Sequence, residues 1–431
     1  DSDMIKVGIS QCLTGAKVRY DGGHRNNKFC NQELTDYFEF VSLCPEVGIG
    51  LPIPRKTVRL VGDIGNPRAV FSDSDDDSDV SKDALPHFNS VSQAVAYIAS
   101  HKPQKDKVWT VFINEGIYRE RVVINVDNVH FVGQSQETTT IVFNRYAGQQ
   151  VAENSQEKWG TRRTATVEIL GDNITLENIT ITNDFDYPGN EVKAKDDPTR
   201  LSGTQAVALK TDVNSDRTYL KNVALWGYQD TLYLKGDRAL IEGGTIAGHI
   251  DFIFGEGTAF FESVSIVSRT RYSGGDSEGL TGYITAPSTH LQRPYGLTFN
   301  NCRLEREHGV PDESVALGRP WHPTTTFSDG RYANPYAVGK TTFINTYMAG
   351  HIIQKRWTTM GGTTPSGTKR PFNPHTEARF SEYQSHGEGA PKAVSSPAIN
   401  SHFLNDKNAA FYTKEAVLRG WVPNNIPNDI E

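Results

Sequence analysis

Cysteine is scarce in this 431-residue chain: Cys12, Cys30 and Cys44 stand near the start and Cys302 stands alone in the remainder. The large C-terminal region therefore has no disulfide framework of its own, although an exported protein need not carry one. Long apolar runs are also missing. None approaches the roughly 18–20 residues needed to cross a bilayer, so a soluble protein without a membrane span is expected. Basic clusters are absent and the formal charge is −7. That balance excludes an electrostatic nucleic-acid binder and offers no long-range attraction for an acidic polymer, which would need local cations. No basic-then-apolar leader opens the chain, so its compartment is not directly legible. What is present, 37% hydrophobic residues and 10% aromatic ones, is enough for a packed core and argues against disorder.

The chain reads as three parts. Residues 1–71 contain SQCLTG, VRYDGGH, FEFVSLCPEVGIGLPIPR and VRLVGD, short strand-like runs broken by Gly/Pro loops, which suggest a small α/β-like segment. These motifs resemble the beginning of bacterial desulfidase-type domains. The resemblance implies an iron–sulfur cluster held by three cysteines, of which Cys12 and Cys44 match two; a truncated remnant without an assembled cluster is expected. Residues 72–83, SDSDDDSDVSKD, cannot bury enough surface to order themselves and read as an acidic linker. They lack the Gly and closing Glu of a calcium loop. From residue 84 to 431 the pattern changes again.

That third part opens with one amphipathic helix, with Val91, Ala94, Val95 and Ile98 at helical spacing and Asn89 or Ser90 as cap. Short strand-like runs follow and begin to rhyme: NITLENITITN, RTYLKNVALWG, RALIEGGTIAG, TAFFESVSIVS, YGLTFNNCRLE and KTTFINTYMAG. Aligning Leu220, Ile241 and Phe261 gives steps of 21 and 20 residues, with wider steps of 44 from Leu176 and 38 to Phe299 where a rung carries a long loop. A period of about 20–25 residues built from short strands predicts a parallel β-helix. The helix would cover one open end, and the tail from about Pro371 would cover the side or the other end. The sequons at Asn173 and Asn178 fall within predicted strands and are expected to be rung positions rather than glycan sites.

Two acids recur in matching settings. Asp230 and Asp251 each lie five residues beyond the last apolar position of a run, Leu225 and Ile246, and are 21 residues apart. Stacked strands would bring the two carboxyls close, since neighbouring rungs are about 4.8 Å apart. Like charges so near titrate as a unit, one of them raised, which suits one acid and one nucleophile. Gln229 adds an uncharged donor for an oxyanion, and Gln205 lies one rung earlier. Stacked polar residues on such faces are as often a structural ladder, and His249, between these elements, reads as structural.

GTQAVAL, GYQDTLY, GHIDFIFG, GYITAPS and LGRPW, in that order, resemble the bacterial pectin methylesterases of the pectinesterase family from about residue 85 onward. The resemblance implies a right-handed, single-stranded, all-β parallel β-helix and hydrolysis of galacturonate methyl esters in pectin without a cofactor or metal. By matching positions it implies Asp251 as nucleophile, Asp230 as acid/base, Gln229 as oxyanion donor and Arg319 as the partner that keeps Asp251 ionised. It implies substrate contacts from Gln205, Trp321, Phe254, Tyr233 and Tyr283, and from Met360 across a segment with insertions. A secreted, extracellular or periplasmic monomer acting on pectin is expected. Rival readings are a glycoside hydrolase or lyase on the same fold, whose carboxylates would also be close, a non-catalytic carbohydrate-binding or envelope protein, and an esterase or thioesterase for another acyl group.

Overall fold

The computed structural model describes residues 5–14, 16–17, 19, 22–25, 38–44, 53, 58–61, 68–71, 86–101, 108–394 and 399–423. The chain forms two compact units, Asp1–Phe88 and Asn89–Glu431. In the first, strand Ile5–Ser10 pairs in parallel with Phe38–Leu43, a 3-10 turn covers Gln11–Thr14, and Val58–Val61 pairs antiparallel with Arg68–Phe71. The described elements of residues 1–71 are these strands and the 3-10 turn. The Cys12 thiol is half-buried and 3.2 Å from the Ser10 hydroxyl. Cys30 and the acidic stretch 72–83 lie outside the described residues.

The second unit is a coil of stacked rungs. Its described strands form three parallel sheets, of seven, ten and eight strands, which successive rungs visit in turn, and two antiparallel hairpins, Thr324–Phe327 with Gly330–Ala333 and Met360–Thr363 with Lys369–Phe372. Leu176 pairs with Leu220, Leu220 with Ile241, Ile241 with Phe261 and Phe261 with Phe299, so the rung alignment expected from the rhyme is the register of the ten-stranded sheet. Each rhyming segment proves to be two strands rather than one. A residue with positive φ bends the chain between them: Asn178, Asn222, Gly243, Ser263, Asn301 and Asn345. Asparagine tolerates that left-handed region because its short amide bonds locally.

The two sequons therefore occupy turns, not strands. Asn173 stacks its amide on Asn128 and Asn222 stacks on Asn178, each at 2.8 Å. Inward-facing side chains fill the coil, and from mid-chain onward they form an aromatic stack. Phe261, Phe299 and Phe343 lie 4.2 and 4.6 Å apart, and Trp357 stacks on Phe380 at 4.1 Å. All five are fully buried, each contributing about 1.5–3 kcal/mol on transfer from water.

The helix is Val91–Ser100, capped by Ser90, with Val91, Ala94, Val95 and Ile98 buried as their spacing predicts. Glu120 accepts the backbone N–H groups of Val91 and Ser92 at 2.7 and 3.2 Å, placing a carboxylate at the positive end of the helix. The helix closes the first rungs, sharing a small apolar cavity with Ile113, Val122 and Ile124. The tail covers a side: Val417 and Leu418, fully buried, pack on Leu240 and Phe260 of the ten-stranded sheet.

Candidate active site

The seven-stranded sheet carries the acids. Strand Leu232–Leu234 pairs with Ile250–Gly255 through Leu232↔Ile253 and Tyr233↔Phe254, which sets Asp230 beside Asp251 one rung away. The Asp230 N–H bonds the Ile250 carbonyl at 3.0 Å. Both aspartates have positive φ, 65° and 50°. Around Asp251 the pairing with Gly282–Pro287 shifts register between Ile250 and Ile253. Such a bulge re-aims a side chain: Phe252 is fully buried while Asp251 turns to meet Arg319.

The two acids have unequal surroundings. Arg319 grips Asp251 with two parallel bonds, Nε to Oδ1 at 2.8 Å and Nη2 to Oδ2 at 2.7 Å. Among the described residues no cation pairs with Asp230 in this way. Burial first, and then the Asp251 charge, push its carboxyl well above the ordinary carboxylate range, against the weaker pull of Arg319. Burial disfavours the Arg319 cation, but Asp251 more than offsets this and holds the guanidinium protonated. The site thus contains one carboxylate fixed by a fork and one carboxylic acid. Gln229 Oε1 accepts the Thr204 hydroxyl at 2.8 Å, a bond that does not use its NH₂ donors.

The expected cleft residues divide. Tyr233 and Phe254 stack at 4.2 Å and are nearly fully buried, with half-buried Trp321 5.8 Å from Phe254 across an edge contact. They form an aromatic floor topped by Trp321 rather than three exposed rings. Tyr283, expected in the cleft, is buried with its ring against the Arg319 guanidinium, 3.9 Å from it, and its hydroxyl donates to Asp276. Gln205 is half-buried one rung earlier; Leu209 pairs with Leu232, so its register partner falls near Tyr228 rather than at Asp230. Met360 begins a hairpin strand, Met360–Thr363, just beyond Thr358, whose N–H bonds the Gly318 carbonyl beside Arg319.

His249 is buried, and its Nδ1 accepts the Ile250 N–H at 2.8 Å. Burial, then Arg271 and Arg269, hold it well below the usual histidine range, so it is neutral and structural. Sequence reasoning missed Thr204 and Asp276. Thr204 stands next to Gln205 inside GTQAVAL, a signal that was available. Asp276 sits in the excursion between two strands with no motif to mark it.

A parallel β-helix that pairs a forked carboxylate with a buried carboxylic acid and an amide donor is equipped for acyl chemistry. A family model described as Pectinesterase matches residues 77–420, and the chain belongs to that family of carboxylic ester hydrolases. Pectinesterase A of Dickeya dadantii (strain 3937) is 41% identical over 337 residues, covering 78% of this chain and 88% of that protein. A crystal structure of a pectin methylesterase in complex with a hexasaccharide is 41% identical with a TM-score of 0.73, covering 80% of this chain and 96% of that one. A pectin methylesterase from Erwinia chrysanthemi is 43% identical with a TM-score of 0.72, covering 78% and 94%. A model described as 2-thiouracil desulfurase matches residues 7–104, in keeping with the resemblance of the first segment.

Proposed function

We propose that Asp251 is the nucleophile with which this pectinesterase hydrolyses the methyl esters of galacturonate in pectin, with Asp230 as general acid and then general base. The observation that carries this reading is the asymmetry of the pair: Arg319 forks onto Asp251 alone, while burial and the neighbouring charge keep Asp230 protonated. A carboxylate Oδ of Asp251 attacks the ester carbonyl carbon, and the resulting oxyanion takes a hydrogen bond from the Gln229 NH₂. As the tetrahedral intermediate collapses, Asp230 gives its proton to the departing methoxide, releasing methanol and leaving an acyl-enzyme anhydride. The Asp230 carboxylate then removes a proton from water. The hydroxide adds to the acyl carbon, the Asp251–acyl bond breaks, and both acids return to their starting states. Trp321 above the Tyr233–Phe254 floor offers a face for the sugar rings, and the reading extends substrate contact to Gln205 and Met360. The reading includes action on extracellular or periplasmic pectin as a secreted monomer.

The test is release of methanol from methylated pectin by the wild type, Asp251→Asn and Asp230→Asn. Each variant should lose about 10⁴-fold or more in kcat, as when one member of a catalytic unit is removed, while keeping the β-helix circular dichroism. Wild-type rates in either folded variant would overturn the assignment. New reducing ends or unsaturated products from the wild type would favour a glycosidase or lyase instead.

A further inference from the structure

Tyr283 is buried and has no role in the chemistry above, yet it lies against the group that separates the two acids. We propose that Tyr283 is a positioning residue: its ring, pinned through its hydroxyl to Asp276, holds the Arg319 guanidinium in the plane that presents two N–H groups to Asp251. This rests on the assignment of Asp251 and Arg319 just given.

The geometry supports it link by link. A fork grips a carboxylate only when the guanidinium is coplanar with it, so rotation at the end of the Arg319 side chain would leave one bond or none. The Arg319 guanidinium carbon lies 3.9 Å from the centre of the Tyr283 ring, a cation–π distance at which face-on contact opposes that rotation. The ring cannot follow the guanidinium, because Tyr283 is buried on strand Gly282–Pro287 and its hydroxyl donates to Asp276 Oδ2. Asp276 is held in turn: its Oδ1 accepts the N–H groups of Glu278 and Leu280 at 2.8 and 3.0 Å. The same excursion is tied down a second time. Glu191 is buried and receives Arg271 Nε, the Tyr272 N–H and the Ser273 hydroxyl. A chain of contacts therefore runs from the excursion through Asp276 and Tyr283 to Arg319 and Asp251.

The test compares wild type, Tyr283→Phe and Tyr283→Leu by kcat and KM for methanol release, with circular dichroism as the check on folding. The ionisable groups facing this array are Asp230, Asp251, Asp276 and Arg319 itself. Removing the ring in Tyr283→Leu should lower kcat by about ten-fold, the scale of a lost desolvated cation–π contact, with KM little changed. Tyr283→Phe, keeping the ring and losing its anchor, should lower kcat by less, again with KM little changed. If Tyr283→Leu does not fold, as judged by its circular dichroism, the phenylalanine variant alone decides by the same split. An unchanged kcat, or a loss of kcat/KM carried by a raised KM, overturns the proposal. Absence of methanol release by the wild type would instead sink the function reading on which it rests.

Discussion

Replacing Asp230 and Asp251 by asparagine, one at a time, should move the stability of the β-helix in opposite directions. Asp251 supplies the counter-charge for Arg319, and their side chains are only 10% and 20% exposed. Removing one partner of a buried pair leaves an uncompensated charge and costs about 3–5 kcal/mol; an amide that keeps one hydrogen bond places the cost at about 3 kcal/mol. For the unit Asn89–Glu431, an unfolding entropy of about 2.1 cal/mol/K per residue sums to about 0.7 kcal/mol/K, so the midpoint falls by about 4 °C. Asp230→Asn acts the other way, because it removes an ionisation that burial and Asp251 disfavour.

The sign of the pH dependence follows from linkage. Asp230 has a higher pKa folded than unfolded, so between those values the folded state holds more protons and stability falls as pH rises. The gain from Asp230→Asn is therefore absent below the ordinary carboxylate pKa and grows above it. Scanning calorimetry of the β-helix transition from acid to neutral pH reads both effects. A lowered midpoint in both variants at neutral pH, or a gain in Asp230→Asn that persists unchanged in acid, would refute the reasoning.

Two further outcomes concern the scaffold. Arg356 and Glu382 form a fully buried ion pair, with bonds of 3.1 and 2.8 Å; Arg356→Leu strands the Glu382 charge and should cost about 3–5 kcal/mol in urea denaturation, much of it recovered when Glu382 is also made apolar. Leu418→Ala opens a cavity where the tail meets Leu240 and Phe260 and should cost about 2–5 kcal/mol, with methanol release per folded molecule unchanged.

Much of this is legible in the sequence, for reasons specific to the fold. Stacked rungs convert sequence period into spatial register, so Leu220, Ile241 and Phe261 could be aligned by counting, and the 21-residue interval between the acids placed them on adjacent rungs. The helix around Val91 was legible because its buried residues recur at helical spacing. The turns were not, because one left-handed residue such as Asn178 or Asn222 bends a strand without interrupting its alternation. Tyr283 was legible as a motif residue near the site but misplaced: nothing in GYITAPS reveals that its ring faces a guanidinium from a later rung. Asp276 was invisible, since its partners are set by the path of an irregular excursion.

The bulge at Asp251 has a consequence for how chemistry can be grafted onto a repetitive scaffold. Ile250 pairs with Tyr283, and by Ile253 the pairing has resumed with Thr285, so the strand spends one more residue than its neighbour over that interval. Phe252 still fills the interior, and beyond the bulge Phe254 again aligns with Ala286. Against the following rung, the proposed nucleophile thus falls at an extra residue, and the pairing resumes beyond it with Phe252 still in the interior.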